Sequence, residues 1–211
     1  AQIQRNFKKS EAAFREQAKG LTVEWLAVEE FPGRAVCDVS RSADLIIAGG
    51  SPGAYRDGYR WCDPAELALK SGRPVLVAPP RGGELKAEAV LVAWKDTREA
   101  RRAVADAMPL LKSAKDVLVM RVCEAADVGD AEYQTHAVVQ SLKRHGVAAR
   151  AKVAVAPNLQ VAAELNAEAG AMGADLIVSG AYGHTRLGEW VFGGVTRDFL
   201  GGNERFLLLS H

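Results

Sequence analysis

The hexapeptide "DLIIAG" at residues 44–49 returns as "DLIVSG" at residues 175–180, an offset of 131. The same offset lays "PVLVAP" (74–79) on "RFLLLSH" (205–211), with no gap between the two matches. Self-similarity at a fixed period is the mark of duplication. Further upstream, "LTVEWLAVEE" (21–30) aligns with "VAARAKVAV" (147–155), and the opening "IQRNFKKSEAAFREQAKG" with the second helix of the later copy. On this alignment the first repeat lacks an opening strand, a helix and a second strand. The expected organisation is a partial first domain at 1–80, a linker at 81–86 within the Pro- and Gly-rich "APPRGGELKAE" (78–88), and a second domain at 87–211.

The second repeat is the easier to read. "EAVLVAW" (88–94) is an apolar run of strand length, and "KDT" turns the chain into "REARRAVADAMPLLKSA". There Ala100, Ala103, Val104, Ala107 and Leu111 recur at helical spacing. "DVLVMRV" (116–122) is a second buried-strand run, and a helix then runs to His145, with Gly146 as its stop. "VAARAKVAV" reads as a strand, Asn158 as the cap of a helix carrying Val161, Ala162, Leu165 and Ala169, and "ADLIVSG" as a strand. A helix from about Gly194 to Leu200 and the strand "RFLLLSH" close the copy. Strands alternating with helices of this length make a parallel, doubly wound α/β sheet.

The 211 residues carry a formal net charge of +1, with 48% hydrophobic and 25% charged residues, so no nucleic-acid-coating surface is expected. The apolar runs are of strand length, so neither is a membrane span. The "KKSEAAFREQ" face reads as a solvated, charged helix surface rather than a DNA contact. Cys37, Cys62 and Cys123 are odd in number and form no CxxC pair, which points to reduced, buried thiols in a soluble cytoplasmic protein. His136, His145, His184 and His211 lack metal-ligand spacing. There is no GxxxxGK[ST] and no G-x-S-x-G.

The chemistry gathers in "SGAYGHTRLGEWVFGGVTRDFL" (179–200). In an open parallel sheet, ligands bind beyond the carboxyl ends of the strands. Gly180 and Gly183 would let backbone N–H groups face a phosphate, and Gly193 and Gly194 would free amides at a helix N-terminus. His184 and Arg186 would add donors and positive charge. The residue types equally allow a tight-turning loop with Trp190, Val191 and Phe192 plugging the core, and they leave the two readings open.

The spacing Gly180-x2-Gly183-x9-Gly193, followed by Gly194-Val195-Thr196, resembles the nucleotide-binding signature of the universal stress protein family, G-x2-G-x9-G followed by Ser or Thr after the fourth strand. "VLVAWKDTREA" and "GADLIVSGAYGH" carry the same resemblance, which covers 87–211, and the tandem type of the family is the best match. The resemblance implies a Rossmann-like fold, akin to adenine nucleotide alpha hydrolases, with a five-stranded parallel sheet in the order 3-2-1-4-5 in each of two tandem repeats. It implies an adenine nucleotide as ligand (ATP, or ADP or AMP, with magnesium) held as a signal in a stress response. The pocket would comprise Ala93, Trp94 and Lys95 at the end of the first strand, and Val122 and Cys123 under the adenine. Gly180, Gly183, His184, Arg186, Gly193, Gly194, Val195 and Thr196 would surround the phosphates.

Two departures stand out. Gly194 occupies the place of the hydroxyl residue, and Lys95 the place where the family's first strand usually ends in Asp, with Asp96 one later. In the first repeat Pro52, Cys62 and Asp63 stand where the second has Gly183, Gly193 and Gly194, so that site reads as degenerate. No general base stands out. The alternatives to a bound signal are an interaction scaffold without nucleotide, or a slow ATPase or self-phosphorylating protein using Thr196. The partners expected are the nucleotide and the other repeat, with "PVLVAP" pairing on "RFLLLSH", or a second chain in a homodimer.

Overall fold

Strand runs that are apolar at every position must be covered on both faces, and four of the five strand runs of 87–211 are; the run "ARAKVAV" (149–155) is exposed from Arg150 to Lys152. The computed structural model describes residues 2–49, 61–156, 160–181, 194–202 and 204–211. It separates into two units, residues 1–31 and 32–211.

In the larger unit the second repeat supplies β3 (Ala89–Ala93), α4 (Arg98–Ser113), β4 (Asp116–Cys123), α5 (Val128–Arg144), β5 (Ala149–Val155), α6 (Val161–Ala171), β6 (Leu176–Gly180), α7 (Gly194–Gly202) and β7 (Phe206–Ser210). The first repeat contributes α2 (Pro32–Val39), β1 (Ile46–Gly49), α3 (Pro64–Lys70) and β2 (Val75–Ala78). One sheet holds all seven strands in the order β1-β2-β7-β6-β3-β4-β5.

Alternation along β3 shows how the layers are assigned. Val90 and Val92 enter a core with Ala103, Ala107 and Leu111 of α4 and Val139 and Leu142 of α5. Leu91 enters the opposite core with Leu165 of α6, Phe199 of α7 and Leu67 of α3. Helices therefore flank both faces, as a doubly wound sheet requires. Thr97 caps α4, its hydroxyl accepting from the Ala100 N–H at 3.3 Å. Gly146, at φ +82°, ends α5 in the left-handed conformation that glycine adopts without strain. The expected cap Asn158 lies outside the described residues; α6 has Gln160 at its N-cap position, with no side-chain bond.

Within the second repeat the parallel neighbours run β5-β4-β3-β6-β7, which is the order 3-2-1-4-5. Two corrections follow. The sheet has seven strands rather than five, because β1 and β2 extend it. It is also not wholly parallel, since β2 runs antiparallel to β7 with Val75 opposite Leu209, Leu76 opposite Leu208 and Val77 opposite Leu207. The pairing expected of "PVLVAP" and "RFLLLSH" is thus present within one chain. It also covers what would otherwise be an apolar edge strand on each copy.

The passage from β2 into β3 is pinned by Asp175. One of its carboxylate oxygens accepts the backbone N–H of Lys86 at 2.8 Å and of Ala87 at 3.1 Å. Ala87 pays for this with φ 50°, the sole positive-φ non-glycine residue among those described.

The unit at 1–31 contains α1 (Gln2–Gln17), as its periodicity predicts. Phe14 and Trp25 meet at a ring-centroid distance of 5.6 Å, and no described side chain in this unit is buried. The expected strand at 21–30 is not formed. Its counterpart β5 pairs with β4 alone, and among the described residues no strand stands beside 21–30 as β4 stands beside β5. A strand without a neighbour leaves its ladder hydrogen bonds unmade, so apolar pattern alone does not hold it extended in a sheet.

Candidate functional site

β3, β4 and β6 run parallel, so their carboxyl ends, at Ala93, Cys123 and Gly180, open on the same side. The chain leaves β3 toward β4 on one side and returns to β6 on the other. The crevice above them therefore lies at the switch in strand order, where α/β sheets bind ligands. A cleft of ≈ 340 Å³ opens there, floored by the strand ends and walled by the N-termini of α4 and α7 and by Val161 and Leu165 of α6.

Nine of the expected site residues line this cleft: Ala93, Trp94, Lys95, Val122, Cys123, Gly180, Gly194, Val195 and Thr196. Gly183, His184, Arg186 and Gly193 lie outside the described residues, as do Trp190, Val191, Phe192 and Pro52. The sequence reading missed Thr97, Glu99, Met120, Arg121, Glu124, Asp127 and Ser179, which share the lining. Glu99 and Thr97 could have been found from the capped start of α4, since that helix begins five residues after the end of β3. Glu124 and Asp127 belong to the 3-10 turn after β4 and carry no local signal.

The walls differ in character. Met120, Val122, Val161 and Leu165 make an apolar side, and Cys123 is 4% exposed at its edge. Trp94 is also buried, its backbone N–H donating to the Met120 carbonyl at 2.8 Å, while its buried indole N–H has no partner among the described residues. Asp96, the residue nearest to the family's acidic position, is turned away from the lining and accepts from Arg101 at 2.6 and 3.0 Å. Lys95 holds the place in the cleft instead.

The two glycines that can be described do different work. A Cβ on Gly180 would stand 2.6 Å from the Ala100 nitrogen, 2.7 Å from the Glu99 carbonyl carbon and 2.9 Å from the Glu99 Cβ. Gly180 thus admits the first turn of α4 against the end of β6. That is a packing reason for the glycine, where the sequence suggested access for a phosphate. Gly194 is the opposite case: a Cβ there would meet nothing within 4 Å among the described residues, and it starts α7 with no acidic residue in the first turn. The dipole at this helix start favours an anion. Thr196, one turn in, is 4% exposed.

The first repeat offers the contrast. At α3, the counterpart of α7, Asp63 caps the helix by accepting from the Ala65 N–H at 3.0 Å, and Pro64 occupies the first turn. The chain's own carboxylate therefore takes the position an anion would use. Cys62 beside it is half-buried, and burial, with Cys37, Glu66 and Asp63 adding negative charge, pushes its thiol up to about 11. Cys37 is also half-buried, so only Cys123 meets the expectation of buried thiols. Both half-buried sulfurs pack at the margin of the core under α2 and α3, which is too thin there to enclose them.

His211 closes the chain behind the cleft. One ring tautomer satisfies both of its contacts, with Nδ1–H donating to the Ala181 carbonyl at 3.0 Å and Nε2 accepting from Arg98 at 3.3 Å. Among the described residues, no group of three or more His, Cys, Asp or Glu is placed to hold a metal ion, and no helix is long and apolar enough to cross a membrane.

No family model matches the sequence, and no curated protein does. The fold has clear counterparts among solved structures. A universal stress protein from Archaeoglobus fulgidus DSM 4304 superposes with a TM-score of 0.74 at 16% identity, over 99% of this chain and 78% of that one. A putative universal stress protein from Pseudomonas aeruginosa UCBPP-PA14 gives 0.65 at 17% identity, over 95% and 77%. The universal stress protein UspA from Lactobacillus plantarum gives 0.52 at 13% identity, with its whole length lying on 61% of this chain. The fold is that of universal stress protein structures, as the resemblance implied.

Proposed function

We propose that this chain is a tandem universal stress protein whose second repeat, 87–211, binds one adenine nucleotide as a signal in a stress response, with the partial first repeat, 1–80, as its structural partner. The observation that carries the reading is the convergence of nine expected residues on one cleft at the strand-order switch, with the N-terminus of α7 at its rim. The apolar wall of Met120, Val122, Val161 and Leu165 suits a purine face, and the free amides at Gly194 suit a phosphate. The Asp63 cap on α3 argues against a second site in the first repeat. A cytoplasmic location and a homodimer belong to the same proposal.

A scaffold without nucleotide is the second reading, and the packing role of Gly180 favours it, since one signature glycine then has a reason unconnected with ligand. Calorimetric titration with adenine nucleotides, together with mass spectrometry of anything released on denaturation, separates the two. One nucleotide per chain is expected, and Gly183→Val should weaken it roughly tenfold or more, the factor that 1.4 kcal/mol represents. Two sites per chain, or an unaltered affinity in Gly183→Val, would show that the glycines serve only the turn.

A further inference from the structure

We infer that the cleft prefers adenine ligands of low charge, adenosine and AMP, over ATP, and that Glu99 sets the preference. This rests on the adenine-nucleotide reading above. Among the described lining residues, three are acidic (Glu99, Glu124 and Asp127) and two are basic (Lys95 and Arg121). Arg121 donates through Nη1 to the side-chain oxygen of Gln134 on α5, which draws its guanidinium toward that helix.

Glu99 is the decisive group because of where its charge sits. It lies in the first turn of α4, and its side chain is 11% exposed. A carboxylate there already occupies the favourable end of the α4 dipole. It also meets an incoming phosphate across a wall where water screens poorly. Arg98 pairs with it at 3.3 Å but is 74% exposed, and a solvent-exposed partner offsets little of a buried charge. Opposite, the apolar wall offers the purine contact area without regard to charge. The amides at Gly194 would meet one phosphate, while the described acidic residues penalise each phosphate beyond it: adenosine carries none, AMP one and ATP three.

The test is calorimetric titration of adenosine, AMP and ATP, without divalent cation, into the wild-type chain and Glu99→Gln. In wild type, adenosine and AMP should bind roughly tenfold or more tightly than ATP. Glu99→Gln should raise ATP affinity by about tenfold and leave adenosine within about twofold. Thermal unfolding of each protein establishes that the fold is retained. Where Glu99→Gln unfolds, Glu124→Gln at an exposed lining position carries the same expectation in smaller degree. ATP binding as tightly as adenosine in wild type would overturn the inference, as would an ATP-to-adenosine ratio unchanged in the variants. Failure of all three ligands to bind would instead defeat the nucleotide reading, and the selectivity with it.

Discussion

Replacing Gly180 by alanine tests whether that glycine serves the helix or the ligand. The added methyl would stand 2.6 Å from the backbone nitrogen of Ala100 and 2.7 Å from the Glu99 carbonyl carbon. Both obstructing atoms are main chain, so no rotamer change relieves the clash. To restore a contact of 3.4 Å, the first turn of α4 must retreat from the end of β6 by about 0.8 Å. That turn is fixed by Thr97, and its Ala100 is 3% exposed in the core. Overpacking of this kind costs about 1–3 kcal/mol. For a unit of this size each kcal/mol lowers Tm by about 2–4 °C, so a loss of 2 kcal/mol appears as about 4–8 °C. Gly194→Ala is the control, because its Cβ meets no described residue at the start of α7 and should leave Tm unchanged or slightly raised. Scanning calorimetry of the two variants decides the matter. If Gly180→Ala melts with the wild type while Gly194→Ala is destabilised, the packing argument is wrong.

Two further outcomes follow from the sheet and from the first repeat. Leu208 is 1% exposed and pairs with Leu76 across the antiparallel junction of the two copies. Leu208→Lys buries a charge there and should cost about 4 kcal/mol or more in urea unfolding; a variant with the parent midpoint would remove the junction from the account of stability. Cys62 has its thiol raised from 9.0 to about 11, so its protonated form favours the folded state below pH 9, and that contribution is lost as pH rises toward 11. Stability should fall more steeply over that window in the wild type than in Cys62→Ser, and Cys62 should alkylate slowly at neutral pH in the folded protein. Identical pH profiles would refute this.

The sequence by itself determined the strands and helices of the second repeat and their alternation. Uninterrupted apolar runs such as "VLVA" and helical spacing such as Ala100, Ala103 and Ala107 admit few other arrangements. It also showed that residues 44–49 and 175–180 share one pattern, because a match at a constant offset needs no coordinates to be seen. Only the tertiary structure decided what each element meets. "LTVEWLAVEE" has the pattern of a strand yet forms none, since pairing depends on a neighbour that the segment's own residues do not specify. Gly180 and Gly194 look alike in the motif, but one is crowded by α4 and the other meets no described residue within 4 Å, a difference set by a helix eighty residues earlier in the chain. Glu99, Glu124 and Asp127 come from separate segments and carry no shared motif. They line one cleft only because β3 and β4 run parallel and end side by side. Local periodicity encodes the burial of each segment. The charge of a cleft is a sum over distant segments, and folding alone brings its terms together.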